Sequence, residues 1–540
     1  MHALSPCLTA LITMVSISHA LLRILSLHFW YQTPTSMTLG DLSTPPKSIA
    51  IIGAGSAGLA MLKTVLDLPA HSAEKWEVVL YEDRESVGAY EKNRLPDHHD
   101  VSPPNIPKTP LYPLLHTNTP VPSMSYPGFP FPPQTPLYPS HGHVYAYHAR
   151  YAREHNLLDF IQFNHNIEKA EWVGSSQKGS WKLDITDSRA RRTFSKHFDH
   201  LVVASGNNHL PSIPVWQGQD EWLASSAPER VFKRRILHSV YYREPDVYKN
   251  QSVVVVGNGA SGRDAASQIV PFAREIFMSI RHSGEDQPGA IIKPEISHFT
   301  AEGIVFVDGT IADPDVVLLG TGYLQKKPFL EDPGFLRVDP SARTNASVLD
   351  ALVTNTKYIF PLHRHILSLD PRYPLNALAF IGLPTAIANC PSDIAQSLFA
   401  AHVIASVDIL PPRAQLLQEL AEYEDTVRAQ GLDPYINGHK MLDGKSSDYQ
   451  DELVDFLREQ GAIPDTGKKF VEGWRRDIFT YPYLKRGWKR IESLGEGEAW
   501  TAGVRNEAQW AALMRRVNEW QKRWEDENGI PFMWDMDLAG

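Results

Sequence analysis

The chain carries two copies of one hydrophobic pattern, in which a short apolar run precedes a glycine-rich turn and then a segment with helical spacing. In the first copy, the run from Ser48 to Ile52 predicts a buried strand, Leu59 to Leu68 a helix, and Trp76 to Tyr81 a second strand. The corresponding segments of the second copy are Gln251 to Val256, Arg263 to Val270 and Glu275 to Ile280. Strand, turn, helix and strand in this order predict a parallel sheet covered by helices.

The first glycine-rich turn has the spacing of a dinucleotide-binding loop. It consists of Gly53, Ala54, Gly55, Ser56, Ala57 and Gly58. The three glycines serve a tight turn, the close approach of a pyrophosphate and the packing of helix on strand, and the helix N-terminus attracts the phosphates. Glu82 ends the second strand, where a carboxylate accepts hydrogen bonds from an unphosphorylated ribose. We therefore expect FAD or NAD here, the alternative being a purely structural turn.

The second glycine-rich turn predicts a different nucleotide. Its residues are Gly257, Asn258, Gly259, Ala260, Ser261 and Gly262, followed by Arg263 and Asp264. The next strand leads to Arg281, whose guanidinium can pair with a 2′-phosphate that an acid would repel. The alternative is that Arg281 is a solvated strand end. Opposite ribose chemistry at the two turns predicts FAD at the first and NADPH at the second.

Two further apolar runs end in small residues and glycine, and they bracket the second copy. They are Leu201 to Gly206 and Val316 to Tyr323. This placement predicts an α/β protein with two Rossmann-like domains, the NADPH domain being inserted into the FAD domain. The predicted order is an N-terminal segment (1–47), the first segment of the FAD domain (48–214), the NADPH domain (215–330), the second segment of the FAD domain (331–405) and a helical C-terminal region (406–540).

Composition narrows the classes of function. Lys and Arg number 52 against 62 Asp and Glu, and the net charge of −10 argues against nucleic acid as a partner. Cys7 and Cys390 are the only cysteines, which excludes a disulfide framework, a cysteine metal site and a CxxC redox pair. We expect no metal and a small-molecule substrate.

The N-terminal stretch from Leu8 to Trp30 is mostly apolar, with Arg23 interrupting it. Three interpretations stay open: a membrane anchor, a cleaved signal, and a gene-model extension upstream of a true start at Met37. The first two predict a protein that is membrane-associated or in the secretory pathway, and the third a cytoplasmic one.

Between the two turns, the stretch from Phe232 to Tyr242 resembles the identifying sequence F-x-G-x-x-x-H-x-x-x-[YF] of the flavin-containing monooxygenases of fungi and animals. Arg234 stands where that family has glycine. The resemblance implies catalytic roles for His238 and Tyr242, while the residues alone equally fit an ordinary buried histidine. Baeyer–Villiger relatives typically end this stretch in tryptophan, so Tyr242 favours the other members.

Two more segments extend the resemblance. The stretch from Leu111 to Pro120 is similar to the family's asparagine segment, which implies that Asn118 and Thr119 lie beside the flavin and that Asn118 is catalytic; the alternative is an asparagine in a turn. Gly88, Ala89 and Tyr90 replace the family's Gly-Gly-x-Trp, which implies that Tyr90 covers the flavin. Thr321 and Gly322 are expected at the FAD as well.

The rest of the chain is assigned by composition. Fourteen prolines between Pro96 and Pro139 predict a packed irregular wall over the flavin, disorder being the alternative. The helical pattern after Leu410 predicts a cap packed on the core, a partner-binding module being the alternative.

The resemblance implies an enzyme that consumes NADPH and O2. It would insert one oxygen atom into a small organic substrate through a C4a-hydroperoxyflavin, in secondary metabolism of the fungal type. Baeyer–Villiger oxidation and N-hydroxylation are the alternatives within the class. A non-catalytic flavoprotein scaffold is the alternative outside it.

Overall fold

The computed structural model describes residues 46–88, 105–107, 109–225, 230–281, 288–343, 350–441 and 444–532. The predicted apolar segment at 8–30 and Tyr90 lie outside these ranges. Within them, no helix combines the length and the apolar character that a membrane span needs.

The strands are β1 (Ser48–Ile52), β2 (Glu77–Glu82), β3 (Ile161–Phe163), β4 (His165–Gly174), β5 (Gly179–Asp187), β6 (Arg192–Phe198), β7 (His200–Val203), β8 (Arg235–His238), β9 (Ser252–Val256), β10 (Glu275–Ser279), β11 (Ile291–Lys293), β12 (Ile296–Phe299), β13 (Ile304–Phe306), β14 (Ile311–Ala312), β15 (Val316–Leu319), β16 (Arg337–Val338), β17 (Val353–Thr354), β18 (Ile359–Phe360), β19 (Leu362–His363), β20 (Leu367–Ser368) and β21 (Leu378–Phe380).

The helices are α1 (Ser56–Asp67), α2 (Pro69–Glu74), α3 (His141–Glu154), α4 (Gln219–Ala224), α5 (Ala260–Ile269), α6 (Pro328–Glu331), α7 (Asn389–Ala405), α8 (Arg413–Ala429), α9 (Pro434–Asn437), α10 (Lys445–Glu459), α11 (Gly473–Asp477), α12 (Leu484–Ser493), α13 (Gly497–Thr501) and α14 (Glu507–Glu527).

The two hydrophobic patterns build two sheets that share the order of four strands, β3-β2-β1-β7 in the first and β11-β10-β9-β15 in the second. The first sheet runs β19-β20-β21-β7-β1-β2-β3, and the second runs β11-β10-β9-β15-β8. In both, the strand before the glycine-rich turn (β1 or β9) lies between its own second strand and a later one (β7 or β15), all parallel. Each turn therefore opens at a topological switch point, the usual binding crevice of parallel sheets.

The second sheet is inserted between strands of the first. All of its strands fall between β7 and β19 in the chain, which is the arrangement that the bracketing glycine segments predict. The exact domain boundaries stay predictions.

We call the part of the chain built on the sheet of β1 the first half and the part built on the sheet of β9 the second half. Each half also contains an antiparallel sheet that was not predicted from the sequence. Strands β4, β5 and β6 form one such sheet between β3 and β7, and β12, β13 and β14 form the other between β11 and β15. Side-chain alternation explains how they pack. Ile49 and Ile51 face the helices α1 and α7, whereas Ala50 and Ile52 face the other way, toward Trp181 and Leu183 of β5.

The C-terminal region is helical, as its pattern predicts, and part of it is tied to the first sheet by a buried histidine pair. His439 Nε2 accepts the Ile359 N–H at 3.1 Å, so its proton lies on Nδ1, which donates to His365 Nδ1 at 3.2 Å. Both rings are neutral in this arrangement. Burial lowers the pKa of His365 to about 4 and that of His439 well below its ordinary value.

This pair predicts a stability that falls with acid. The unfolded chain takes up protons near pH 6.5 while folded His365 resists them to about pH 4, so stability is complete above the first value and lost through the second. His365→Asn keeps a hydrogen-bond acceptor and removes the titrating ring. Asparagine also tolerates the φ of +60° at this position. Relative to the variant, the wild type should lose roughly 2 to 3 kcal/mol of unfolding free energy between neutral pH and about pH 4.5. Urea titrations at several pH values measure this, and parallel pH profiles of the two proteins would refute it.

Candidate functional site

The first glycine-rich turn is held by backbone packing that tolerates only glycine. Gly53 has φ +100°, and a Cβ on it would lie 2.6 Å from the carbonyl oxygen of Ala204, just beyond β7. A Cβ on Gly58 would lie 1.8 Å from the carbonyl oxygen of Gly53. These two glycines therefore let α1 start directly against the ends of β1 and β7.

Gly55 is different, because a Cβ on it would meet no atom of the described residues within 4 Å. It is the N-cap residue of α1, has an ordinary φ of −78° and makes no side-chain capping bond. The space in front of the helix N-terminus therefore stays open, where main-chain N–H groups and the helix dipole attract phosphate. This cradle fits the pyrophosphate of a dinucleotide.

Glu82 closes the other side of this cradle. It is buried, its Oε2 accepts the Ala54 N–H at 2.7 Å, and its Oε1 accepts the Arg84 N–H at 3.1 Å. Burial, followed by a hydrogen bond with Asp83, raises its pKa to about 8, against the lowering effect of the Ala54 N–H. Hydroxyl donors from a ribose would favour the carboxylate form at this site.

The second turn repeats this geometry. Gly257 has φ +101°, and a Cβ on it would lie 2.7 Å from the carbonyl oxygen of Gly320, beyond β15. A Cβ on Gly262 would lie 2.3 Å from the carbonyl oxygen of Gly257. In the part of the chain that the structure describes, a Cβ on Gly259 meets nothing within 4 Å. The same cradle therefore lies in front of α5, beside Asn258, Ser261 and Arg263.

The two cradles differ at the position of Glu82, which is expected to contact the ribose and is called here the ribose end. Strand registers pair Ile52 with Tyr81 and Val256 with Ser279, so the position equivalent to Glu82 is Ile280. An apolar residue thus replaces the acid, and Arg281 comes next. The Arg281 side chain is 80% exposed and its Nε donates to Glu295 Oε1 at 2.9 Å. An exposed guanidinium without the inner carboxylate fits a phosphorylated ribose.

Asn118 and Thr119 belong to the proline-rich wall, defined here as residues 109–139. The wall is packed and irregular, as predicted, with Thr117 N–H donating to the Pro139 carbonyl at 3.0 Å. Its Tyr126 hydroxyl donates to the Ser56 carbonyl at 2.8 Å, so the wall rests on the N-terminus of α1. Asn118 is exposed on this wall.

Sequence reasoning missed the residue that holds the wall. Arg475, of α11, is buried and its Nη1 donates to the Pro122 carbonyl at 2.6 Å and, at 3.3 Å, to the Ser123 and Ser125 carbonyls. Its other nitrogens pair with Glu472 and Glu507 at 2.8 Å. No local pattern marks such a residue, because its partners in the wall lie some 350 positions away.

The chain passes from the first half to the second and back at one place, called here the crossing. This is where His238, Thr321 and Gly322 lie. His238 Nε2 donates to the Gly322 carbonyl at 3.0 Å, and its Nδ1 accepts the Val240 N–H at 3.1 Å. The ring is 1% exposed, and burial lowers its pKa to about 4. With both nitrogens bonded inside the protein, these contacts favour a positioning role, and a catalytic one stays a prediction.

The crossing itself is a pair of antiparallel connections. Ser212 N–H donates to the Gly322 carbonyl at 2.9 Å, and Leu324 N–H donates to the Leu210 carbonyl at 2.8 Å. The Thr321 hydroxyl adds a bond to the Ser212 carbonyl. The outgoing and returning chains are thus hydrogen-bonded to each other, which places Thr321 and Gly322 at a joint between the halves.

Arg234, which replaces a family glycine, has a structural explanation. Its guanidinium is buried against the Trp222 ring, 5.1 Å from the ring centroid. It donates to the Ala301 carbonyl at 2.8 Å, to the Ser225 hydroxyl at 2.7 Å and to Asp313 at 2.7 Å. It therefore fastens α4 to the segments that follow β12 and β14 within the second half. Tyr90, the other departure, is outside the described residues.

The open cradles predict two variants that fold and lose one nucleotide each. A Cβ at Gly55 or Gly259 has free space among the described residues and would occupy the phosphate position. We expect Gly55→Ala to abolish FAD retention, and Gly259→Ala to keep FAD and raise the KM for NADPH at least tenfold, by roughly 1.4 kcal/mol or more. Flavin absorbance of the purified proteins and steady-state kinetics measure the two effects.

The control is Gly58→Ala, whose Cβ collides with the Gly53 carbonyl and should prevent folding. Normal FAD content in Gly55→Ala would show that the pyrophosphate lies elsewhere.

Comparison with known proteins assigns the chain to a family. The family model described as Flavin-binding monooxygenase-like matches residues 46–285 and 288–469. A curated relative, "Flavin-containing monooxygenase FMO GS-OX-like 9" of Arabidopsis thaliana, is 28% identical over 459 residues, covering 80% of this chain and 88% of the relative.

Two solved structures share the fold. The S-allyl-L-cysteine S-oxygenase from Allium sativum has a TM-score of 0.65 and 23% identity, covering 88% of this chain and 99% of that one. Tmm from Pelagibacter sp. strain HTCC7211 has a TM-score of 0.59 and 21% identity, covering 83% and 90%.

The family match confirms the resemblance drawn from the sequence, the assignment as a flavin-dependent monooxygenase enzyme, and FAD and NADPH as its cofactors. The solved structures confirm the expected fold class of two dinucleotide-binding domains. Because the family model spans most of its length, the chain belongs to the Flavin-binding monooxygenase-like family.

Proposed function

We propose that the chain uses NADPH to transfer one oxygen atom of O2 to a small organic substrate. The two electrons come from NADPH, one oxygen atom enters the substrate and the other leaves as water. The observation that carries this proposal is the repeated cradle with unlike ribose ends, which supports FAD at the first cradle and NADPH at the second.

The residues of each turn have separate tasks in this proposal. Gly53 to Gly58 and Glu82 hold FAD, while Gly257 to Gly262, Arg263 and Arg281 hold NADPH. When bound, the flavin supplies the redox chemistry, accepting hydride and activating O2. The protein binds both nucleotides, orients them and excludes bulk water from the reacting atoms.

The wall supplies that exclusion. It packs on the N-terminus of α1 through Tyr126 and is fixed from outside by Arg475. Asn118 contributes a neutral amide that can donate a hydrogen bond to an oxygen atom without delivering a proton to it. His238 fixes the joint at Gly322 and serves as a positioning residue.

One argument for the alternative function, a non-catalytic flavoprotein scaffold, no longer holds. Arg234 in place of a glycine is a departure that could mark lost activity, yet the buried contacts of Arg234 explain that residue without any loss of function. A place in secondary metabolism is an expectation from the resemblance.

The reaction predicts a defined product. Purified holoprotein should show bleaching of its flavin absorbance when NADPH is added without oxygen. With 18O2 and a probe panel of a thioether, a tertiary amine and a ketone, we expect one labelled oxygen atom in a sulfoxide or N-oxide. An ester from the ketone would favour the Baeyer–Villiger alternative. Failure of NADPH to reduce the bound flavin would refute the proposed function.

Arg281 predicts the choice between NADPH and NADH. Arg281→Gln should raise the KM for NADPH on the order of tenfold, through loss of a charge-assisted contact to the 2′-phosphate, and leave that for NADH unchanged. Glu295→Gln should lower the KM for NADPH, because Glu295 competes for the same guanidinium.

Arg274→Gln is the matched control, because Arg274 is an arginine directly before β10, the strand that leads to Arg281. Equal effects of Arg281→Gln on the two nucleotides would contradict the assignment.

A further inference from the structure

A partly buried polar network joins the wall to the helix of the second turn. The Tyr112 hydroxyl donates to Asp264 Oδ2, and Gln268 Nε2 donates to the same oxygen at 2.8 Å. The Tyr242 hydroxyl donates to Gln268 Oε1 at 2.9 Å. Tyr112 is 152 positions from Asp264 in the chain, so this contact is entirely tertiary.

The Tyr112 ring lies inside the hydrophobic core of the second half. It is 5% exposed and packs with Val253 and Val255 of β9. It meets the Tyr242 ring edge to face, with centroids 5.0 Å apart. A residue of the wall is thus inserted into the domain that carries the second cradle, and aromatic packing fixes its direction.

Hydrogen bonds from the side chain of Arg243 to main-chain carbonyls support the same junction. Arg243 is buried, and its guanidinium donates to the Val240 carbonyl at 2.9 Å and to the Thr109 carbonyl at 3.4 Å. The wall is therefore attached to the second half at Thr109 and Tyr112, and to the first turn at Tyr126. Asn118 lies between these attachments.

The hydrogen bond of Tyr112 is of the strong kind. Burial, and after it the charge of Asp264, raises the pKa of Tyr112 well above its ordinary value, so the hydroxyl keeps its proton and acts as a donor. A carboxylate acceptor makes a shorter and stronger bond than a neutral one. Asp264 lies in the second turn of α5, directly behind the cradle at Gly259.

We propose that Tyr112 is a positioning residue that transmits occupancy of the NADPH cradle, through Asp264, to the wall that carries Asn118. This role of Tyr112 affects which products the reaction gives. When the wall is held in place, one oxygen atom of O2 enters the substrate and the other leaves as water. When the wall is not held, NADPH, a proton and O2 give NADP+ and hydrogen peroxide instead. This inference rests on the proposed function.

The first test needs no turnover. Amide hydrogen exchange of residues 109–121 is measured in holoprotein with and without NADP+. We expect NADP+ to slow exchange of the wall in the wild type and not in Tyr112→Phe, which keeps the ring and lacks the hydroxyl. Absence of protection in the wild type would overturn the inference, and this measurement does not depend on how any variant folds.

The second test separates positioning from general damage. In Tyr112→Phe, the fraction of NADPH recovered as hydrogen peroxide should rise about three- to tenfold, as expected for loss of one buried hydrogen bond. FAD content and the KM for NADPH should change less than about twofold. Asp264→Asn, which keeps an acceptor for Tyr112 and loses the charge, should give a smaller rise.

Tyr248→Phe is the matched control. Tyr248 is a buried ring of the same cluster, 6.0 Å from Tyr242, and its variant should keep the peroxide fraction of the wild type. A Tyr112→Phe protein with the wild-type peroxide fraction would overturn the inference. A wild type whose flavin is not reduced by NADPH would instead refute the proposed function, so the two failures are distinguishable.

Discussion

The contact between the first glycine of each turn and the main chain of a neighbouring strand end governs the architecture of both halves. At Gly53 and Gly257 the backbone approaches the carbonyls of Ala204 and Gly320 so closely that no side chain fits. That approach lets each helix begin at the switch point of its sheet, with its N-terminal N–H groups facing open space. The cradles, the ribose ends and the crossing between the halves all take their positions from these two contacts.

Sequence was sufficient where structure is local. The strands, turns and helices of both nucleotide units follow from periodicity and glycine spacing, and β1 coincides with its predicted range. The antiparallel sheets in each half were missed, because they lie between the nucleotide units and carry no turn of that kind. The roles of Arg234, Arg475 and Tyr112 could not be predicted, since each depends on partners far away in the chain.

Buried arginines solve a problem that the proline-rich wall creates. Proline has a carbonyl and no N–H, so a proline-rich segment carries more acceptors than donors. Arg475 donates to three carbonyls within one short stretch of the wall, and the Tyr147 hydroxyl donates to that of Phe129. A guanidinium suits this task because it offers five N–H groups in one plane. The wall is ordered by donors supplied from outside it, and so the C-terminal region helps to hold the wall in place.

The paired connections at the crossing have an evolutionary consequence. Since Ser212 and Gly322 are hydrogen-bonded to each other, the inserted half leaves the first half and re-enters it at one point. A module whose ends are adjacent can be gained by its host without stretching or rearranging any host strand. The two halves share the order of four strands, the geometry of the turn and the position of an added antiparallel sheet. This architecture has the form of one nucleotide-binding unit nested within a copy of itself.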